Sequence, residues 1–345
     1  MKYRLYTTSQ KAWDGMFRAM SEAVSSIYIE MYTFLDDTKQ THNFLALLEE
    51  KARSGVEVVV IADYYGSLAL HGTVVEKLRQ AGAEFFYFSR WLRRTHRKIL
   101  IIDNKVAFLG GVNIIEETRH WLDLQIELRG RIIVPVLRSF AYAYEMVGGR
   151  KDSVLDWRRS SIVPRIKSWI TDNLPGTKYK YRLNSYYRRS LISAQKSIDI
   201  VTPYLLPPRW MIALLDSAVK RGVEVRIIIP SDTDIKILDK VNYLNACRLA
   251  RIGVKFYILP AMNHAKLMLI DEEEGIIGSH NLDFLSFHWN IEVGVFFRQK
   301  KLVADLHKII VQWQKTAVAL SSTNQRITIF DRIIMVVMKL FFPIF

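Results

Sequence analysis

The chain almost lacks cysteine: Cys247 is the single thiol among 345 residues. An intramolecular disulfide and a zinc–thiolate cluster are both excluded, and one thiol fits a reducing compartment. Acidic residues are in short supply as well. The 34 Asp and Glu are outnumbered by 49 Lys and Arg, leaving a formal net charge of +15. That excess suits a polyanionic partner, either nucleic acid or the surface of an anionic membrane. The N-terminus, Met1 to Thr8, has no apolar core and no small-residue cleavage site, so no signal peptide is expected. No run of ~20 clean apolar residues is present to span a bilayer. What remains is a globular composition, half of it apolar. It is long enough for two domains or one duplicated domain with a sizeable core.

The chain repeats itself. Ser26-Ile27-Tyr28-Ile29 is matched by Ser197-Ile198-Asp199-Ile200, Arg53-Ser54-Gly55-Val56-Glu57-Val58 by Lys220-Arg221-Gly222-Val223-Glu224-Val225, and Ala81-Gly82-Ala83 by Ile252-Gly253-Val254. The offsets are 171 residues (27 to 198), 167 (55 to 222) and 171 (82 to 253). One unit has been used twice. In each copy a helical stretch, Phe44 to Ala52 or Met211 to Lys220, ends near a glycine and a continuous Val/Ile run follows. Such runs are strands covered on both faces, as in α/β sheets. The expectation is two pseudo-symmetric α/β/α sandwich units, residues 1–150 and 181–320. A linker at 151–180 carries Pro164 and Pro175-Gly176, and the functional site lies between the halves.

Within the repeat sits a second, sharper one. His96-Arg97-Lys98, four apolar residues, Asp103 and, after six more positions, Gly110-Gly111-Val112-Asn113 recur as His264-Ala265-Lys266, Asp271 and Gly278-Ser279-His280-Asn281. On a strand, His and Lys two positions apart share a face and reach one cleft. Lysine is a charge-based phosphate ligand, and the Gly-Gly/Ser turn brings backbone and an Asn amide close. Two such units supply what phosphodiester exchange needs. One imidazole attacks phosphorus and the other protonates the leaving alcohol. Lys98 and Lys266 offset the phosphoryl charge, so no metal or cofactor is required. His96, Lys98, Asp103, His264, Lys266 and Asp271 form the expected catalytic set, with Asp103 and Asp271 organising the motif. Asn113, Ser279 and Asn281 are expected at the phosphate. Imidazole tautomers need fixing by a second group. Asp123 follows His96 by 27 residues and Glu292 follows His264 by 28. These two carboxylates are expected to hold the imidazoles.

A lone His-x-Lys is ordinarily a solvated strand end, and a lone Asp after a strand a turn residue. Two copies at an offset of 168 residues (96 to 264), inside a repeated scaffold, exceed what packing explains. His42, His71, His120, His288 and His307 have no counterpart and read as surface or core residues. His280, inside the second turn, is open between lining the cleft and packing.

The doubled pattern resembles the phospholipase D superfamily, and its flanks are similar to the bacterial cardiolipin synthases. Gly278 to Asp283 with Asn290-Ile291-Glu292 carries the second-half likeness, and Gly110 to Ile114 with Trp121-Leu122-Asp123 the first. Ala62 to Ser67 and Arg90-Trp91-Leu92-Arg93-Arg94-Thr95 add to it. Two features depart from the family: Phe284-Leu285 where it commonly has Arg, and the acidic turn Glu272-Glu273-Glu274 where it often has a short glycine turn. The resemblance implies a phosphatidyl transferase. Phosphatidylglycerol would be attacked to give a phosphatidyl-histidine, glycerol would leave, and a second lipid hydroxyl would take the group to give cardiolipin. It also implies His96 as nucleophile and His264 as acid/base, although the residues themselves leave the two roles interchangeable.

Such an enzyme works at an anionic phospholipid membrane containing phosphatidylglycerol, with no nucleic acid partner. Its expected place is peripheral, on the cytoplasmic face of the bacterial inner membrane. Ile327 to Phe345, with Phe341-Phe342 and the flanking Arg332 and Lys339, is the expected membrane-associating helix, since so apolar a segment is costly to leave in water. Packing on the second unit is its other reading. The basic-aromatic run Phe85 to Lys98 and the weaker Trp157-Arg158-Arg159 offer further contacts to headgroups. A lipid hydrolase, a nucleic-acid phosphodiesterase and a catalytically dead lipid binder are the rival readings.

Overall fold

The computed structural model describes residues 1–90, 93–159, 168–173 and 182–320. The apolar segment 327–345 and the pair Trp91 and Leu92 lie outside the described residues. The first unit runs β1 (Lys2–Thr8), α1 (Ser9–Ser21), β2 (Ser26–Met31), α2 (Phe44–Arg53), β3 (Glu57–Asp63), α3 (Gly72–Gln80), β4 (Glu84–Phe88), β5 (Lys98–Ile102), β6 (Val106–Gly110), β7 (Leu122–Arg129) and α4 (Ile133–Met146). Then α5 (Asp152–Arg159) packs on α4. The second unit runs β8 (Ser168–Asn173), α6 (Arg182–Ser193), β9 (Ser197–Val201), α7 (Arg209–Lys220), β10 (Glu224–Pro230), α8 (Lys236–Ala250), β11 (Lys255–Leu259), β12 (Leu267–Ile270), β13 (Glu274–Gly278), α9 (Phe284–His288), β14 (Glu292–Phe297), α10 (Lys300–Thr316) and β15 (Val318–Ala319).

The strand orders repeat. The first sheet reads β1-β7-β6-β5-β2-β3-β4, and the second β8-β14-β13-β12-β9-β10-β11, with β15 added at the far edge. In each, three strands are parallel and joined through helices (β2-β3-β4, β9-β10-β11), while the motif strands form an antiparallel meander. The local causes are shared too. Helices α2 and α7 both stop at a glycine in the left-handed region, Gly55 (φ 89°) and Gly222 (φ 86°). The chain then turns there into a buried strand. Helix α1 is capped by the Thr8 side chain and buries Ala12, Trp13, Met16 and Met20 along one stripe.

The outer face of each sheet carries its own helices and core, α1–α3 over the first and α6–α8 over the second. The inner faces share one core. Tyr28, Val59, Ile99 and Phe140 of the first unit join Val201, Leu267, Val293 and Leu306 of the second, with α4 and α10 completing the layer. The fold is therefore the expected pair of α/β units. One boundary is corrected. The segment read as a linker, 151–180, supplies α5 and also β8, which pairs antiparallel with β14 from Asn173↔Glu292 to Ser168↔Phe297. Proline and glycine around β8 signal loops, yet six residues between them close the sheet edge as β1 does in the first unit.

Candidate active site

Each His-x-Lys opens an inner strand of its sheet, β5 or β12, and its neighbours are set by backbone from the other half. The His96 N–H donates to the Ile291 carbonyl at 3.0 Å, and the Ile291 N–H to the Arg94 carbonyl at 2.8 Å. In the mirrored place the His264 N–H donates to the Leu122 carbonyl at 2.7 Å, and the Leu122 N–H to the Met262 carbonyl at 3.1 Å. These two short parallel bridges lace the units together. They put the residue after Ile291 beside His96 and the residue after Leu122 beside His264.

Those residues are the carboxylates, and the pairing is crossed. His96 Nδ1 donates to Glu292 at 3.0 and 3.2 Å. His264 Nδ1 donates to Asp123 Oδ2 at 3.0 Å and to the Gly111 carbonyl at 3.1 Å. Counting along the chain pairs each carboxylate with the His of its own half, and the structure pairs it with the other. Every partner of the two Nδ1 atoms is an acceptor, which assigns the proton to Nδ1 and leaves Nε2 as the lone-pair nitrogen. Gly111 makes the second pair possible. A Cβ there would lie 2.1 Å from Asp123 Oδ1 and 2.9 Å from the His264 carbonyl. At the equivalent position Ser279 has room for a hydroxyl, which donates to Glu292 while accepting from the Val293 N–H. Ser279 thus braces the carboxylate that holds His96.

Lys98 and Lys266 are fully buried. Each ammonium donates to the carbonyl of the histidine two residues earlier. Burial lowers both pKa values, Lys98 well below its ordinary range and Lys266 to about 7. Burial, then the charges of Lys98 and Lys266, hold His96 well below 6.5. Burial and Lys266 lower His264 as well. Burial raises Glu292. An anion bound beside these groups would favour the charged forms of the lysines and imidazoles.

Both imidazoles line one cleft of about 190 Å³. Tyr32 stands edge-on to His96 at 4.9 Å and Trp121 tilts against His264 at 5.6 Å. Asn113 and Asn281 line the cleft too. Asn113 Oδ1 accepts from the Thr33 N–H at 3.3 Å, which leaves its NH2 as a donor. Asn281 behaves differently. It lies beside Asp283, whose pKa burial raises to about 6. The Asn281 Oδ1 is buried with no hydrogen-bond partner among the described residues. No three His, Cys, Asp or Glu side chains are grouped to hold a metal ion among the described residues.

Asp103 and Asp271 stand apart from this chemistry. Each follows the apolar end of its strand at positive φ (52° and 54°) and starts the hairpin turn. Asp103 accepts from the Val24, Ser25 and Ser26 N–H groups, and Asp271 from those of Gln195, Lys196 and Ser197. They pin the strand ends and do not line the cleft, a placement suited to the expected role of organising the motif. His280 is also outside the cleft lining: it is buried, with Nε2 2.8 Å from the Tyr187 hydroxyl.

Arg97 departs from the surface role expected of the basic-aromatic run. Alternation along the strand turns it away from His96 and Lys98. It is fully buried in a network with Glu30, Ser139 and Asp172 of β8. Of that run, Arg94 lines the cleft. Arg158 lies over the Tyr142 ring and pairs with Glu145. The residues that the sequence reading missed are Tyr32, Tyr204 and Asp234, which line the cleft from loops outside the motifs, and Glu117, which lines it from the short 3-10 helix Glu116–Thr118. The matched strands before Tyr32 and Tyr204 were their one available signal.

Among the described residues no helix is long and apolar enough to cross a membrane. Comparison with known proteins fits the doubled architecture. The family model described as "Cardiolipin synthase, PLD-like domain" matches residues 16–130 and 187–313, one match per unit. A probable cardiolipin synthase of Bacillus subtilis is 30% identical over 88% of this chain and 64% of its own. Cardiolipin synthase A of Pseudomonas aeruginosa is 30% identical over 85% and 63%. The chain spans a little under two thirds of the length of these relatives. Among solved structures, phosphatidylserine synthase of Haemophilus influenzae superposes with a TM-score of 0.76 over 99% of this chain and 93% of that one, at 16% identity. Polyphosphate kinase of Porphyromonas gingivalis superposes with 0.66 over 98% and 53%, also at 16%. Both show the same fold. With a family model matching both units and both copies of the histidine motif inside it, the chain belongs to the cardiolipin synthase, PLD-like domain family.

Proposed function

We propose that this cleft transfers a phosphatidyl group from one phosphatidylglycerol to a hydroxyl of a second, giving cardiolipin and glycerol through a phosphatidyl-histidine. The observation that carries the reading is the pair of imidazoles in one cleft, each with Nδ1 fixed by a carboxylate and each with Nε2 left free. In the first step the His96 Nε2 lone pair attacks phosphorus. Bound phosphodiester favours the cationic imidazole, so His264 enters the step with a proton on Nε2 as well as on Nδ1; the P–O bond to glycerol breaks, and the leaving oxygen takes the Nε2 proton. In the second step the acceptor O–H returns a proton to His264 as its oxygen attacks phosphorus and the P–N bond breaks. The resemblance gives His96 the nucleophile's part. Lys98, Lys266 and the Asn113 amide hold the phosphate, whose charge restores the protonated state of the lysines. Glu292 and Asp123 keep the imidazoles oriented and offset their positive charge.

The names of the relatives support cardiolipin as the product, and the resemblance implies phosphatidylglycerol as donor and acceptor. The site of action we propose is an anionic bilayer, peripherally on the cytoplasmic face of the bacterial inner membrane, with residues 327–345 as the attaching segment. The test is incubation of purified protein with phosphatidylglycerol vesicles and mass spectrometry of the lipids. Cardiolipin with free glycerol supports transfer. Phosphatidic acid alone makes the protein a hydrolase, and cleavage of DNA with no lipid product overturns the reading.

A further inference from the structure

The two halves of the cleft differ in charge, and that difference separates its two ends. Near His96 the polar groups are donors: the Arg94 guanidinium donates to the Tyr32 hydroxyl at 3.4 Å, and Asn113 keeps a free NH2. Near His264 they are acceptors. The Tyr204 ring stands edge-on to His264, 6.4 Å between centroids. Its hydroxyl donates to Asp234 Oδ1, a reversal of the role that Tyr32 plays in the first half. Asp234 is exposed and lines the cleft, as does Glu117. Asn281 adds an independent sign of a missing ligand. It is 5% exposed and lines the same cleft. Its Oδ1 is buried and has no hydrogen-bond partner among the described residues. A buried acceptor without a donor costs free energy that a ligand hydroxyl removes.

A phosphate is repelled from that end by the Asp234 carboxylate. A neutral group rich in O–H donors is not. We propose that the His264 side of the cleft, with Asp234 at its centre, is a polyol subsite. It accepts hydrogen bonds from the spare hydroxyls of the alcohol that leaves in the first step and of the alcohol that attacks in the second. This rests on the phosphatidyl-transfer reading above and adds the group that selects the alcohol. The reacting hydroxyl delivers its proton to His264 Nε2, and a second hydroxyl on the next carbon donates to the free carboxylate oxygen of Asp234. Alcohols with no second hydroxyl forfeit that contact, which sets a preference for glycerol-like headgroups over simple alcohols of equal length.

The experiment is a competition in one tube. Full-length protein receives phosphatidylglycerol vesicles with deuterated glycerol and 1-propanol at equal concentration. Deuterated phosphatidylglycerol and phosphatidylpropanol are then counted by mass spectrometry. Their ratio does not depend on how much of the protein is active. For the unaltered protein the ratio favours glycerol, and Asp234→Ala lowers it about tenfold, the worth of one hydrogen bond to a charged acceptor. Asp234→Asn, which keeps one oxygen and the shape, lowers it less. A ratio unchanged within twofold in both variants, or loss of both products in both, overturns the subsite. Absence of both products from the unaltered protein sinks the transfer reading itself, a distinct result.

Discussion

His96 Nδ1 and the Glu292 carboxylate lie 3.0 Å apart across 196 residues of chain, and each imidazole in the cleft depends on a carboxylate from the opposite half. Removing the charge while keeping the shape tests that dependence. Glu292→Gln and Asp123→Asn should each lower kcat by about a thousandfold, because an amide presents a donor where Nδ1–H needs an acceptor and favours the wrong tautomer. Asp103→Asn, at the strand end, should lower the melting temperature with little effect on kcat. Equal losses of kcat in all three variants would return Asp103 to the chemistry.

The pH dependence of the reaction follows from the cations. In the empty cleft His264 is held below 6.5 and Lys266 near 7. Bound phosphodiester raises both, since an anion favours the charged form. The basic limb of kcat, which reports the complex, should therefore lie at higher pH than that of kcat/KM, which reports the free protein. Coincident limbs would mean that the phosphate is not held against these groups.

Stability should fall in acid partly through His280. The unfolded imidazole takes a proton near pH 6.5, and burial lowers the folded one to about 4. Between those values the unfolded state binds more protons. The stabilisation is thus present above pH 6.5 and lost as pH falls towards 4, on the order of 3 kcal/mol in all. Asp63 and Asp283, raised to about 6 by burial, act in the opposite direction. The measurable quantity is therefore the difference between the protein and His280→Asn in urea midpoints at pH 7 and pH 5. The variant should lose less on acidification. An unchanged difference would contradict the assignment.

The acidic turn holds strain that can be relieved. Glu272 follows Asp271 with φ 55°, a conformation that costs a residue with a Cβ about 1 kcal/mol or more. Its side chain is exposed, with only a 3.9 Å approach to His307. Glu272→Gly should raise stability by about 0.5–1 kcal/mol, read as an upward shift of the thermal midpoint.

The apolar segment 327–345 carries a prediction from sequence alone. Its deletion should reduce co-sedimentation with phosphatidylglycerol vesicles and leave turnover of a short-chain, monomeric phosphatidylglycerol largely intact. Undiminished sedimentation would reject it as the attaching segment.

The sequence by itself determined the duplication, the strand–helix grammar of each unit and the two His-x-Lys groups, because those features are periodic or local. Side-chain alternation on a strand suffices to aim His96 and Lys98 the same way, and one match at a fixed offset suffices to repeat it in His264 and Lys266. What the tertiary structure decided is everything that depends on how the halves meet. The bridges at Ile291 and Leu122 cross the carboxylates. The edge pairing with Glu292 to Phe297 makes a strand of residues that read as linker. The choice of buried partner turns Arg97 inward, spends Ser279 on Glu292 and leaves Asn281 with a bare oxygen. His96 meets Glu292 across 196 positions and Arg97 meets Asp172 across 75, and no propensity or spacing encodes such contacts. They follow from packing two twisted sheets face to face on one shared core.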